Sequence, residues 1–160
     1  LSTEKVAYRE LLKTGKVIAC GDLVIDYAVV EDFILSLEDR FGVQIQAIGY
    51  DRWNALSTAQ KLERAGHTLV EVKQHSSVLH PPTKLLKESI LSEKFRYTEN
   101  KLLEINFQNA RCVYDNNKNL YVNKKKSKGK VDMVVSTINA TYLLQQDVFL
   151  GQMDFVAQVI

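Results

Sequence analysis

Two aspartates and a run of lysines are the residues of this chain best suited to chemistry. Asp51 lies in Ile48-Gly49-Tyr50-Asp51-Arg52-Trp53-Asn54-Ala55, ending an apolar run and opening an amphipathic one. That pattern places its carboxylate where a buried strand gives way to a helix, and in open α/β sheets the ligand crevice lies beside the carboxyl ends of the strands. Asp132 has a similar setting, closing Lys130-Val131-Asp132 before a long apolar-periodic stretch. Mg²⁺ and Mn²⁺ prefer carboxylate and water oxygens to sulfur or imidazole. Nucleases that hold two such ions, about 3.5–4 Å apart, activate a water and stabilise the leaving oxygen. Two acids on one sheet edge therefore suggest a divalent-metal site, whereas each alone reads equally as an ordinary helix N-cap. Lys124, Lys125, Lys126, Lys128 and Lys130 crowd the loop just before Asp132. Such a cluster suits a phosphate backbone, where lysine displaces counterions without reading sequence. The alternative is a solvated, flexible loop, and the adjacency to Asp132 favours DNA.

Other candidates lack partners. His75-Ser76-Ser77-Val78-Leu79-His80 has no cysteine nearby, and the chain has no Gly-x-Ser-x-Gly nucleophile motif, so the segment reads as a polar loop. Trp53, at helical spacing, reads as core rather than as a base-stacking platform. No Gly-x-x-x-x-Gly-Lys-Ser/Thr loop is present, so there is no recognisable ATPase site. Cys20 and Cys112 stand far apart in apolar surroundings and read as buried free thiols in a reducing compartment.

The elements that must position these residues follow from periodicity. A short helix is expected over 4–13 and a short strand over 16–20. Asp26 resembles an N-cap for a helix carrying Val29, Val30, Phe33, Ile34, Leu37 and Phe41, closed by Gly42 at C′. A strand over 43–50, a helix over 52–65 and a strand over 67–73 make one βαβ unit, hence two parallel strands with a right-handed crossover. The stretch 74–82, with its serines, histidines and double proline, reads as a loop, and 83–95 as a helix. The stretch 101–114 fits neither period cleanly and leans to helix by its length. A polar turn over 115–119, a short extended piece over 120–123 and a helix from Lys130 follow. The last fifteen residues are apolar without a clear stop.

The 160 residues suffice for one domain with a real core, and no internal repeat or low-complexity linker divides it. A 46% hydrophobic and 25% charged composition is that of a globular chain. No apolar run reaches the roughly 20 residues that span a membrane. A net charge of +2 proves no nucleic-acid partner, so any basic signal is local. The opening Leu1-Ser2-Thr3-Glu4-Lys5 lacks a signal-peptide pattern and, without methionine, reads as part of a longer chain.

Taken in order, these residues resemble the C-terminal nuclease domain of tailed-phage or prophage terminase large subunits. The resemblance runs from Gly21–Asp26 leading into a helix, through the Ile48–Ala55 block, to Gln74 and Pro82-Thr83-Lys84. It continues with Asn109, the lysine loop, Lys130-Val131-Asp132 and Ile138-Asn139-Ala140. The Tyr-Asp-Arg-Trp-Asn-Ala block is the most specific part. The resemblance implies an α/β, RNase H-like nuclease fold with a parallel βαβ core and flanking helices, and cleavage of concatemeric double-stranded DNA during genome packaging. It implies three acids around two Mg²⁺ or Mn²⁺ ions, with Asp51 in the second acidic position and Asp132 in the last, and Lys124 or a neighbour on the DNA phosphates. It also implies the terminase small subunit, the portal protein and the protein's own ATPase domain as partners, no membrane, and action in the bacterial cytoplasm at the procapsid portal.

One departure matters. The family's first acid lies on an opening strand upstream of the helix that begins this sequence, and nothing here fills that place. The expectation is therefore an RNase H-like domain truncated at its N-terminal strands, with exposed sheet edges and weak or no cleavage on its own. The alternatives are a non-catalytic DNA- or portal-binding module, or another RNase H-like nuclease such as a junction resolvase.

Overall fold

The computed structural model describes residues 6–146 and the pair Gln158–Val159. Helices α1 (Tyr8–Lys13), α2 (Tyr27–Leu35) and α3 (Leu37–Phe41) precede strand β1 (Ile48–Tyr50). Helix α4 (Arg52–Arg64) and strand β2 (Leu69–Glu71) follow, then α5 (Ser76–Leu91), β3 (Arg96–Tyr97) and α6 (Lys101–Asn109). Strands β4 (Cys112–Tyr114) and β5 (Leu120–Val122), helix α7 (Asp132–Leu144) and β6 (Gln158–Val159) complete the order.

The βαβ expectation holds. β1 and β2 pair in parallel with Ile48 opposite Leu69 and Tyr50 opposite Glu71, and α4 makes the crossover. β4 and β5 form an antiparallel hairpin around the polar turn, and β3 pairs in parallel with β6. Among the described residues each sheet has two strands, so one edge of each strand is unpaired.

The core lies where α5 and α7 face each other. Leu86, Val134 and Ile138 are buried there, with Leu79, Phe95, Phe107, Ala110 and Val122 packed around them. α7 also crosses the β1–β2 sheet at close range because Gly49 has no side chain. A Cβ there would stand 3.2 Å from Val72 Cγ2 and 3.3 Å from Leu143 Cδ1. Between α2 and α4, buried Glu31 accepts from Lys61 Nζ and Thr58 Oγ1, both at 2.9 Å. The Lys61 hydrogen bond, helped by Thr58, holds its carboxyl below the usual range against the opposing effect of burial.

Several expected elements differ. The helix expected over the Val29–Phe41 stretch is interrupted at Ser36, whose Oγ donates to Phe33 O at 2.8 Å and offers the backbone a competing bond. Gly42 does close the second piece in the left-handed region, at φ 63°. No strand forms over 16–20, and the strand expected over 43–50 is confined to Ile48–Tyr50. The loop expected over 74–82 is largely helix, because α5 starts at Ser76 and runs through Pro81 and Pro82. The two prolines remove N–H donors, but ties to the hairpin hold the start of the helix. Ser76 Oγ donates to Asp115 Oδ2 at 2.6 Å, and Leu120 N donates to His80 Nδ1 at 2.8 Å. α5 ends at Leu91, short of the expected Phe95. The stretch 101–114 divides into α6 and β4, which is why neither period fitted it. Residues 4–5 of the first expected helix, and most of the apolar last fifteen, lie outside the described residues.

Candidate metal and nucleic-acid site

Asp51 stands at the carboxyl end of β1 and is the N-cap of α4. Its backbone is extended, and Oδ1 accepts from Trp53 N at 3.2 Å. The neighbouring strand ends at the same level, where Val72 N donates to Tyr50 O at 2.8 Å. Beyond both strands lies an open cleft lined by Asp51, Arg52, Trp53, Glu71, Lys73 and Gln74, with Val72 at its base. Trp53 is 84% exposed here, contrary to its expected core position: it is in the first turn of α4, at the rim of the sheet, while Ala59 and Leu62 further along are buried. Gln74 leaves the cleft toward α7, its Nε2 donating to Val72 O at 2.9 Å and to Asn139 Oδ1 at 3.2 Å.

These contacts fix the direction of α7. At the level of Gly49 the sheet meets Leu143 and Asn139, and further toward the strand ends Gln74 meets Asn139. Moving toward the carboxyl edge is thus moving toward the N-terminus of α7. Asp132 is seven residues before Asn139, about 10 Å along the axis at 1.5 Å per residue. Asp132 therefore lies toward the side of the sheet on which Asp51 stands, although it is not among the residues lining the Asp51 cleft.

Asp132 is the first residue of α7 rather than its cap. Val131 holds the cap position without a side-chain hydrogen bond, and it is buried while Asp132 is exposed. The missing cap is supplied from another helix. Asn106, buried on α6, donates from Nδ2 to Leu102 O at 2.9 Å and accepts at Oδ1 from Met133 N at 3.2 Å. One turn further on, Asn109 Nδ2 donates to Lys130 O at 3.1 Å. Asp132 is thus held between two backbone positions that α6 grips. Sequence reasoning missed this role of Asn106, since only its spacing of three from Asn109 hinted at a shared helix face.

The lysine loop is built rather than loose. Asn123 accepts from Lys126 N at Oδ1 (3.0 Å) and from Ser127 N at its carbonyl (3.0 Å). Lys128 N donates to Asn109 O at 3.0 Å, and Arg111 N donates to Ser127 Oγ at 3.1 Å. The side chains of Lys124, Lys125, Lys126, Lys128 and Lys130 are left exposed on this frame.

The donor set can be tested against a divalent ion. Asp51 and Asp132 are hard oxygen donors, and neither is in an ion pair among the described residues. Asp51 commits one oxygen to its cap bond and keeps the other. Two carboxylates completed by water suit one hydrated Mg²⁺ or Mn²⁺. Among the described residues no group of three or more His, Cys, Asp or Glu is placed to hold a metal. The chemistry of the two acids suits a hard divalent ion, and Glu71 is a further carboxylate on the Asp51 cleft.

Other titratable groups serve the fold. Asp115 accepts from Ser76 Oγ, from Asn119 Nδ2 at 2.9 Å and from the backbone N–H groups of Asn117 and Asn119 at 2.8 Å. These bonds, Ser76 first, hold its carboxyl far below the usual range. His75, expected in a loop, instead caps α5, accepting from Ser77 N at 3.3 Å. The expected burial of both thiols is not met: Cys20 is half-buried and Cys112 is exposed at residue level, though both are free. Short edge strand β4 leaves Cys112 on the hairpin surface, while partial desolvation still pushes its thiol up.

A parallel βαβ core flanked by helices makes this a mixed α/β fold of the RNase H-like type. The sequence matches the family described as "Terminase large subunit, endonuclease domain" over residues 1–147, and the chain belongs to that family. Its fold is similar to that of the HK97 bacteriophage large terminase, with a TM-score of 0.79 at 22% identity. That likeness covers 88% of this chain and 29% of the phage protein, so the chain spans under a third of that relative's length. No curated protein matches the sequence. Among the described residues no helix is long and apolar enough to cross a membrane.

Proposed function

We propose that the chain is the metal-dependent endonuclease domain of a terminase large subunit, cutting concatemeric double-stranded DNA during genome packaging. The observation that carries this reading is the family match over residues 1–147, supported by Asp51 as the cap of α4 at the carboxyl end of β1 and Asp132 as the first residue of α7. Asp51 and Asp132 would hold the Mg²⁺ or Mn²⁺, whose chemistry would be Lewis-acid polarisation of the phosphoryl group and activation of water. The chain's own work is positional: the α4 cap bond orients Asp51, Asn106 and Asn109 fix the turn bearing Asp132, and the lysines draw the backbone toward the acids. The reading extends to the terminase small subunit, the portal and an ATPase domain of the same protein as partners. The site of action is the host cytoplasm at the procapsid portal.

The exposed lysine loop favours a second reading for the chain on its own, a DNA- or portal-binding module that does not cut. The test is Mn²⁺-dependent cleavage of linear duplex, by this chain and by a complete large subunit containing it. The expected result is weak or no cutting by the chain, cutting by the complete protein, and loss of that cutting in Asp132→Ala. Cutting that survives Asp132→Ala would sink the assignment, and salt-dependent binding without cutting by the complete protein would select the binding module.

A further inference from the structure

Beside the lysine loop a second cleft opens where α6 ends, sharing no lining residue with the Asp51 cleft. It is lined by Gln108, Asn109, Ala110, Arg111, Lys126 and Lys128. Three cations and two amides face this space, and no acidic residue lines it. None of the three cations is in an ion pair among the described residues, where the ion pairs use Lys61, Lys84 and Lys101. Positive charge left without a partner in a concave site focuses its field on an anion. The backbone of the cleft is already fixed, as Asn123 N donates to Arg111 O at 2.9 Å and Arg111 N to Ser127 Oγ. An anion entering here orders side chains only.

We infer that Arg111, Lys126 and Lys128 form a seat for one backbone phosphate of a DNA duplex, with Arg111 as its forked donor. The inference deepens the nuclease reading and rests on it for the identity of the substrate. Arginine presents paired N–H groups that match two phosphate oxygens, while the lysines act as point charges beside it. The spacing relates the seat to the acids. Lys128 and Asp132 are four residues apart, so their Cα atoms lie within about 14 Å. That is the axial rise of about four nucleotides at 3.4 Å each. The seat therefore grips the backbone within a few nucleotides of Asp132 and sets which phosphate reaches it.

The test is equilibrium binding of the chain to a labelled 30-base-pair duplex in EDTA, over about 50–200 mM salt. EDTA separates binding from cutting. Loss of one phosphate contact lowers the slope of log K against log salt by about 0.9, or about eightfold in affinity at 0.1 M. Arg111→Ala should show that loss, and Arg111→Lys should keep the slope while binding more weakly than the parent. Lys13→Ala removes an equal charge from α1, outside the cleft, and should change little. Matching behaviour of Arg111→Ala and Lys13→Ala, or no duplex binding by the parent at 50 mM salt, would overturn the seat. Arg111-dependent binding by a complete subunit that never cuts would leave the seat standing and sink the nuclease reading. Cutting by a complete subunit whose binding ignores Arg111 would do the reverse.

Discussion

Replacing Asn106 by leucine tests whether α6 positions the acid at the start of α7. The side chain is 3% exposed and makes two bonds, to Leu102 O and from Met133 N. Leucine keeps the branching and the number of side-chain heavy atoms, so the change of shape is small while both hydrogen bonds are lost. The lost cap of α7 is worth about 1 kcal/mol, and the second buried hydrogen bond about another 1 kcal/mol. The expected destabilisation is about 2 kcal/mol. With an m-value near 2 kcal/mol/M, the urea midpoint should fall by about 1 M. Because Met133 follows Asp132, loosening this turn should also weaken metal binding, about tenfold for the loss of a supporting hydrogen bond. Trp53 is the only tryptophan and lines the Asp51 cleft, so Mn²⁺ quenching of its fluorescence reports that binding. Leu86→Ala is the control, a core truncation costing at least as much stability and touching neither bond. A stability change under about 0.5 kcal/mol would refute the cap. An equal fall in Mn²⁺ affinity in the Leu86→Ala control would refute the positioning.

Two further outcomes follow from the same geometry. Gly49→Ala places a methyl against Val72 and Leu143, whose side chains must each give by a few tenths of an ångström. Overpacking of about 1–3 kcal/mol exceeds the roughly 0.5–1 kcal/mol gained from lower chain entropy. Calorimetry should show a Tm lower by a few degrees, and an unchanged or higher Tm would contradict the close approach of α7. Asp115 has a folded-state pKa depressed below its unfolded value near 3.9. Its contribution is full above that value and is lost as pH falls through the folded pKa. Urea midpoints taken from pH 6 down to pH 3 should fall more steeply for the parent than for Asp115→Asn, and equal slopes would contradict the network.

The parts legible in the sequence are those where local chemistry and tertiary structure agree. Asp51 reads as a strand-end cap because its carboxylate, extended backbone and following amphipathic run are all local, and Gly42 reads as a helix stop for the same kind of reason. The pairing of β1 with β2 follows from two apolar runs with a helix between them. Interactions across the fold were not legible. The double proline reads as a loop, since the bonds from Ser76 and His80 to the hairpin cannot be seen in a linear pattern. Trp53 fits a helical apolar stripe, yet its place in the first turn carries it past the sheet. Asn106 and Arg111 look like ordinary polar residues beside a helix end. Their meaning depends on the loop and on α7, which lie about twenty residues further along.

The most direct test of the metal site is an anomalous difference map from crystals of the chain soaked in Mn²⁺. A peak is expected within about 2.5 Å of carboxylate oxygens of both Asp51 and Asp132, lost in crystals of Asp51→Asn and of Asp132→Asn. A peak held by other residues, or the two carboxylates far apart with no ion between them, would contradict the metal site.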